Sequence, residues 1–304
     1  MSGRRIFTRP ARLAAIAPYV WMVLFFLVPF AFVAKISLSQ TAIAQPPYLP
    51  VFDLTQGIAA LKAAMAALSL DNFRLLVSDD LYVLSYLRSL VVAAVSTSIL
   101  LLIGYPIAYG MSRLSIRWQP IAMMLVIVPF WTSFLIRIYA WINILQHDGL
   151  LNKILLALHV VSAPVVWLST DSAMYLGIVY SYLPFMILPL YATLAKMEPA
   201  LLEAASDLGA SPLQAFWLVT FPLSLPGVAA GVLLCFIPIV GEFVIPDLLA
   251  GSNSLMIGQT LWLEFFTNKD WPVASAAAVM LLMLLLVPLI FYDRLQRRQL
   301  EDSR

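Results

Sequence analysis

The sequence predicts an all-α integral membrane protein with six transmembrane helices. Hydrophobic residues make up 62% of the 304 residues, charged residues make up 11%, and the mean hydropathy is +0.92. Soluble domains carry about 25% charged residues, so most of this chain is expected to lie in a bilayer. A spanning helix needs about 20 mainly apolar residues, and six apolar runs meet that requirement: 14–38, 84–111, 119–142, 173–195, 224–249 and 273–292.

The first apolar run follows four arginines, a pattern that is also typical of a signal peptide. The run from Leu13 to Ala34 exceeds the core of a signal peptide, which has about 7–15 residues, and five more spans follow it. We therefore expect an uncleaved first transmembrane helix at 14–38, preceded by a cytoplasmic segment at 1–13.

The lysines and arginines predict the orientation of the chain, because cytoplasmic segments of membrane proteins carry an excess of both. With a cytoplasmic N-terminus, the inner segments hold 11 of the 18 basic residues, the outer segments hold 4 and the spans hold 3. This distribution predicts that both termini are cytoplasmic, that 39–83 forms an external segment, and that 293–304 forms a cytoplasmic tail.

A polar stretch separates the fourth and fifth apolar runs. Residues 203–222 read EAASDLGASPLQAFWLVTFP. Acidic residues suit the first turns of a helix, Gly209 predicts a stop in a left-handed conformation, and Ser211-Pro212 predicts the start of a second short helix. Large apolar residues on that helix predict a cytoplasmic docking surface: Leu213, Phe216, Trp217 and Phe221. An amphipathic linker lying on the membrane is the alternative.

The spacing of this stretch resembles the cytoplasmic EAA loop of ABC-type importer permeases. That pattern has EAA, three residues, Gly, nine residues, an aliphatic residue, any residue, an apolar residue and Pro. Here it runs from Glu203-Ala204-Ala205 through Gly209 to Val219-Thr220-Phe221-Pro222. The resemblance implies a coupling loop at 196–223 that docks on a separate ATPase. The coupling residues that it implies are Glu203, Ala204, Ala205, Asp207, Gly209 and Pro222.

Two ionisable residues lie deep within predicted spans, where charge is unfavourable and often functional. Straight helices rising about 1.5 Å per residue would place Arg137 in the third span and Glu242 in the fifth at a similar depth, in the outer part of the membrane. Two interpretations stay open: a buried Arg137–Glu242 ion pair that fixes packing, or a translocation path lined by one or both. Prolines and glycines near Glu242 indicate a kinked helix that faces protein or a water-filled cavity.

The segments around these two residues carry a more specific resemblance, which extends over nearly the whole chain. They are 130–141 (FWTSFLIRIYAW), 241–249 (GEFVIPDLL), 256–258 (MIG) and 270–276 (DWPVASA). They are similar to the polyamine importer permeases, and most of all to putrescine permeases of the PotH type. The resemblance implies the type I (MetI-like) ABC importer permease fold, a five-helix core at 84–292 and a location in the bacterial inner membrane, with 39–83 in the periplasm.

The same resemblance implies partners. They are a second homologous permease, two copies of a cytoplasmic ATP-binding subunit, a periplasmic polyamine-binding protein and membrane lipid, with no nucleic acid. Because the sequence has no GxxxxGK[ST] phosphate-binding loop, we expect ATP and Mg on the partner ATPase, no cofactor on this chain and no enzymatic activity. His147 and His159 have no adjacent Cys or Glu, so no metal site is expected.

A path for a diamine, which is a dication on an apolar stem, would need carboxylates or aromatic faces. Such groups gather on the outer half of the last two spans and their connection: Glu242, Asp247, Trp262, Glu264, Asp270 and Trp271. Interfacial aromatic residues and solvated acids are the alternative explanation. The candidate path residues are Arg137, Tyr139, Trp141, Glu242 and Asp247.

Three other functions remain open from the sequence. The first is the same type of importer for a different small solute, because the loop motif is shared by importers of many solutes. The second is an ion-coupled secondary transporter, which would need no ATPase docking loop and often shows inverted repeats. The third is an intramembrane enzyme, which would need His, Cys, Asp or Ser groups converging at one depth; Arg137 and Glu242 have no such neighbours in the sequence.

Overall fold

The computed structural model describes residues 9–52, 57–251 and 255–302, and it is mostly helical. Within these ranges, five helices are long and apolar enough to cross a membrane, and a bent pair of helices supplies a sixth span. The expected all-α, multi-span architecture is therefore confirmed. Residues 1–8 of the expected N-terminal segment and residues 303–304 of the expected tail lie outside the described residues.

One compact unit combines the chain up to Val83 with Leu261–Leu284. A π-helical turn at Val23–Leu27 joins its first two helices, so that the first span covers Ile16–Ser37. Its complete elements are α1 (Arg9–Met22), α2 (Val28–Ser37), β1 (Gln40–Thr41), β2 (Tyr48–Leu49), α3 (Gly57–Ala66) and α4 (Asp71–Ser78).

Tertiary contacts hold the β1–β2 hairpin, which the sequence did not predict. The two strands are antiparallel, with Thr41 opposite Tyr48. The ammonium of Lys35 lies 4.3 Å from the ring centroid of Tyr48 and 4.7 Å from that of Phe52, and it donates a hydrogen bond to the Pro50 carbonyl. A side chain from the end of the first span thus fixes strands that are too short to be stable alone.

The other compact unit combines Leu84–Thr260 with Leu285–Arg304. Two long helices are shared by the two units: α5 (Asp80–Arg113) and α15 (Trp271–Asp302). The helices between them are α6 (Gln119–Ile127), α7 (Phe134–Leu145), α8 (Leu150–Ala157), α9 (Asp171–Leu194), α10 (Ala200–Asp207), α11 (Pro212–Ala215), α12 (Phe221–Val240), α13 (Val244–Leu249) and α14 (Ile257–Trp262).

Close packing of α9 against α12 forms the centre of this second unit. A Cβ on Gly227 would come within 2.5 Å of the Thr193 hydroxyl, and a Cβ on Gly231 within 2.8 Å of the Met186 sulfur. Two glycines four residues apart therefore let the helix backbones approach closely, as small residues do in membrane helix pairs. This packing fixes α12 relative to α9, and each of the two helices leads to one side of the candidate site.

The third span is not the straight helix 119–142 that the sequence predicted. Helical structure runs from Gln119 to Trp131, ends at Thr132–Ser133, and resumes at Phe134 with a bend of 88°. Beyond this bend, the distance along the chain no longer measures depth in the membrane. The depth expected for Arg137 from a straight helix is therefore wrong.

The fifth span also differs from the predicted 224–249. Its helix begins at Pro212 and ends at Val240, while Gly241–Phe243 separates it from α13. Glu242 consequently lies in a break between two helices, not within a kinked helix. By contrast, α5 and α9 continue through Pro106 and Pro184.

Candidate functional site

The polar stretch folds into two short helices joined by a tight turn. At the end of α10, Gly209 has φ +83°. Its N–H donates to the Ser206 carbonyl at 2.9 Å, and the Ala210 N–H donates to the Ala205 carbonyl at 3.0 Å. This pair of bonds is the Schellman arrangement, in which a glycine takes the left-handed conformation after a helix. The predicted stop at Gly209 is confirmed.

The second short helix begins where Ser211 and Pro212 predicted it. The Ser211 hydroxyl accepts the Gln214 N–H at 3.4 Å, and the Gln214 side-chain oxygen accepts the Ser211 N–H at 2.8 Å. This reciprocal capping box satisfies two backbone donors at the helix start. Both ends of the turn are therefore fixed by contacts local in the sequence.

Only part of the predicted docking surface is exposed. Leu213 and Trp217 are exposed, and Leu208 in the turn is 90% exposed. Phe216, by contrast, is half-buried, and its ring lies 5.6 Å edge-on from that of Tyr105 on α5. Phe221 is half-buried against the same tyrosine at 6.0 Å. The expectation that Phe216 and Phe221 belong to the docking surface is wrong, because they pack against α5.

The helix that follows the turn continues as the fifth span. From Pro212 it passes through a π-helical turn at Phe216–Thr220 and continues as α12 to Val240. These 29 residues correspond to a rod of about 43 Å at 1.5 Å per residue. One helix thus connects the polar stretch to the break that contains Glu242.

Glu242 is held by two sets of hydrogen bonds. The Tyr182 hydroxyl on α9 donates to Oε2 at 2.6 Å. The other oxygen, Oε1, accepts backbone N–H groups at 3.2, 3.0 and 3.4 Å, those of Phe243, Val244 and Ile245. The carboxylate therefore caps the start of α13 and joins it to α9. We name this arrangement of Glu242, Tyr182 and the three amides the Glu242 latch.

Arg137 lies in an aromatic cluster. Its guanidinium is 4.1 Å from the ring centroid of Phe130 and 6.0 Å from that of Phe134. Phe130 stacks on Tyr180 at 6.3 Å, and Trp141 meets Tyr180 edge-on at 5.3 Å. The buried Nε and Nη1 atoms of Arg137 have no hydrogen-bond acceptor. We name this group the Arg137 cluster.

The Arg137–Glu242 ion pair, one of the two interpretations that the sequence left open, is absent within the described part of the chain. Glu242 bonds to Tyr182, whereas the Arg137 cluster contacts Tyr180. Two residues along an α-helix turn the side-chain direction by roughly 200°, so the two tyrosines present different faces of α9. Neither tyrosine was predicted as a site residue from the sequence.

The other candidate residues are distributed over the two units. Tyr139 and Asp247 are exposed, and Trp141 is half-buried. In the first unit, the Tyr82 hydroxyl donates to Glu264 at 2.8 Å and the Thr41 hydroxyl donates to Asp270 at 2.7 Å. Both of these acids therefore have structural partners. No cluster of three or more metal-ligating side chains occurs in the part of the chain that is described.

Comparison with known proteins identifies the family of this chain. Residues 100–301 match the family model described as the binding-protein-dependent transport system inner membrane component. The chain belongs to this family. The family consists of transport permeases and not of enzymes, which confirms the expected lack of enzymatic activity and the expectation of a multi-pass inner-membrane protein.

Curated relatives are similar to this permease over most of its length. The spermidine/putrescine transport system permease protein PotB of Haemophilus influenzae is 42% identical over 216 residues, covering 71% of this chain and 76% of the relative. PotB of Escherichia coli strain K12 is 41% identical over 229 residues, covering 75% and 83%. These similarities confirm the resemblance to polyamine importer permeases, whereas the narrower PotH type stays a prediction.

A solved structure confirms the fold of this permease. The crystal structure of a bacterial ABC transporter involved in the import of the acidic polysaccharide alginate aligns with a TM-score of 0.71 at 18% identity, over 96% of this chain and 97% of that chain. At this identity the likeness shows the fold alone. The expected ABC importer permease fold is confirmed, and the alignment extends beyond the residues matched by the family model.

Proposed function

We propose that this chain is the permease subunit of an ATP-driven importer for polyamines, either putrescine or spermidine. The observation that carries this proposal is the identity of more than 40% to spermidine/putrescine permeases over more than 70% of the chain. An exposed carboxylate at Asp247 and exposed or half-buried aromatic rings at Tyr139 and Trp141 agree with a cationic cargo. These residues form the proposed path.

The polar stretch is the proposed coupling site for a separate ATPase. Its exposed residues include Glu203, Ala204, Asp207, Gly209 and Pro222, while Ala205 is half-buried. Exposed Leu208, Leu213 and Trp217 add the apolar area that a docking surface needs. Because one helix joins this surface to the Glu242 break, movement of the docked surface would reach the proposed path.

Within the assembly, the chain pairs with a second homologous permease. Two ATP-binding subunits hold ATP and Mg on the cytoplasmic side, and a polyamine-binding protein delivers cargo from the periplasm. Both termini and the coupling site face the cytoplasm. The excess of basic residues in the inner segments and the family's dependence on a binding protein support this arrangement.

Reconstitution with the partner proteins in lipid vesicles tests the function. ATP is placed on the side of the membrane that holds the ATPase, and the binding protein is placed on the other side. Labelled putrescine or spermidine is then expected to accumulate on the ATPase side. A matched preparation without ATP is expected to show only leak. ATP-dependent accumulation of another small solute, with neither polyamine transported, would overturn the polyamine cargo but leave the importer assignment intact.

A further inference from the structure

Arg137 carries a positive charge that its surroundings do not neutralise. Its Nε and Nη1 atoms are buried without an acceptor, and its closest described interaction is with the face of Phe130. A buried charged donor without an acceptor is more unfavourable than a cation–π contact is favourable. The guanidinium would therefore gain free energy in any state that offers it a carboxylate.

Asp247 is the complementary group in the same unit. Its carboxylate is exposed and has no hydrogen bond or ion pair within the described part of the chain. It lies on α13, which contacts α7, the helix of Arg137. Two other acids of this unit already have partners, because Glu242 belongs to the latch and Asp171 pairs with Arg88 at 2.7 Å. Opposite charges on contacting membrane helices are expected to pair with one another.

The break before α7 allows this helix to shift as a short rigid piece, whereas the Glu242 latch holds α13 against α9. α7 follows the 88° bend at 132–133, and the residue at its start, Ser133, makes no side-chain cap. α13 has six residues and follows the break at 241–243. Hinges at the ends of elements absorb backbone rotation in this way during domain and helix movements.

We propose that Arg137 and Asp247 form an ion pair in another state of the transport cycle, in which the guanidinium takes the place of a cargo ammonium at the Asp247 carboxylate. This inference rests on the proposed polyamine path. When the Arg137 guanidinium lies on the face of Phe130, the Asp247 carboxylate is free to bind a cationic cargo. When the guanidinium pairs with Asp247, it displaces that cargo. Cargo and Arg137 are then mutually exclusive ligands of one carboxylate, and each weakens the binding of the other.

Chemical cross-linking tests whether positions 137 and 247 approach each other in one state of the transport cycle. In the reconstituted complex with Cys235→Ala, Arg137→Cys and Asp247→Cys are treated with a short bifunctional thiol reagent, without nucleotide and with ATP trapped on an inactive ATPase. We expect the cross-link in one nucleotide state to exceed that in the other by roughly 5-fold or more, the lower end of typical couplings. Ile136→Cys replaces Arg137→Cys in the matched control.

A yield no higher than that of the Ile136 control in both states would overturn the proposal. Unchanged uptake of labelled polyamine by Asp247→Asn, beside a state-dependent cross-link, would support the approach of the two positions and overturn the role of Asp247 in polyamine binding. A result against polyamine binding at Asp247 is thus distinguishable from a result against the Arg137–Asp247 ion pair.

Charge exchange provides the second variant, in case the cysteine proteins fail to assemble. Arg137→Asp and Asp247→Arg alone should each lower uptake of labelled polyamine by roughly 5- to 150-fold, the usual range of coupling between two ligands. The double exchange restores opposite charges and should recover the thermal stability of the assembled complex lost in the single variants, while uptake stays low because position 247 no longer offers a carboxylate to the cargo. A double variant no more stable than the weaker single variant would contradict the ion pair.

Discussion

At the scale of single residues, Glu242 illustrates how a charge is stabilised inside this permease. Both of its oxygens are occupied, one by the Tyr182 hydroxyl and the other by backbone amides at the start of α13. A carboxylate with these partners fixes the position of α13 and has little capacity left for a cargo ion. Asp247, which is exposed and has no such partners, is therefore the better candidate for contact with cargo.

Removing the Tyr182 hydroxyl tests the Glu242 latch. Tyr182→Phe should lower stability by roughly 1.5–3 kcal/mol, the range for hydrogen bonds to charged groups, because the carboxylate loses its partner on α9. The midpoint of thermal unfolding of the purified complex measures this loss. Tyr180→Phe is the matched control on the same helix, since the Tyr180 hydroxyl has no hydrogen bond to any residue that the structure describes and the ring keeps its contacts with Phe130 and Trp141. Equal midpoints for the two variants would contradict the latch.

At the scale of elements, the proposed coupling site is a turn fixed at both ends and continued by a long helix. The Schellman bonds at Gly209 and the capping box at Ser211 set the angle between α10 and α11. α11 then runs through Phe216–Thr220 into α12 without a break. Half-buried Phe216 and Phe221 hold this helix against Tyr105, so the exposed surface and the span are expected to move together.

Substitutions of Gly209 test whether the turn geometry transmits the ATPase motion. A Cβ at this position would meet nothing within 4 Å, so the penalty for Gly209→Ala is conformational, about 1–2 kcal/mol for a left-handed residue. Gly209→Asn tolerates that conformation better. We expect the alanine variant to lower both uptake and binding-protein-stimulated ATP hydrolysis more than the asparagine variant, at equal membrane levels. The reverse order would contradict a geometric role for the turn.

At the scale of the whole molecule, the proposed orientation places different exposed residues on opposite sides of the membrane. Ile43 in the hairpin segment is fully exposed, and Leu208 in the coupling site is 90% exposed. The natural Cys235 is buried, so the unaltered chain provides a background without an accessible thiol. Each exposed position can therefore report its side of the membrane through an introduced cysteine.

Labelling with a membrane-impermeant thiol reagent measures this orientation. Ile43→Cys should react in intact cells stripped of their outer membrane, whereas Leu208→Cys should react only after the inner membrane is permeabilised. The unaltered chain should stay unlabelled under both conditions. Labelling of Leu208→Cys in intact cells would overturn the cytoplasmic coupling site, because an impermeant reagent cannot reach that face.

Features that depend on composition and on neighbours in the chain could be predicted from the sequence alone. The number of spans follows from long apolar runs, and the coupling turn follows from Gly209, Ser211 and Pro212, whose hydrogen bonds close over three to five residues. The family follows from the same segments, since their spacing is itself a sequence property. Helix ends, caps and hydropathy are local quantities, so no knowledge of distant contacts was needed.

The tertiary structure decided which groups meet across the fold. Tyr182 and Glu242 are 60 positions apart, and Phe216 turns inward because Tyr105 lies beside it. The 88° bend removed the straight-helix basis for pairing Arg137 with Glu242. A charge within a membrane takes whichever partner the packing of several helices brings near it, and that packing depends on contacts that no single stretch of sequence contains.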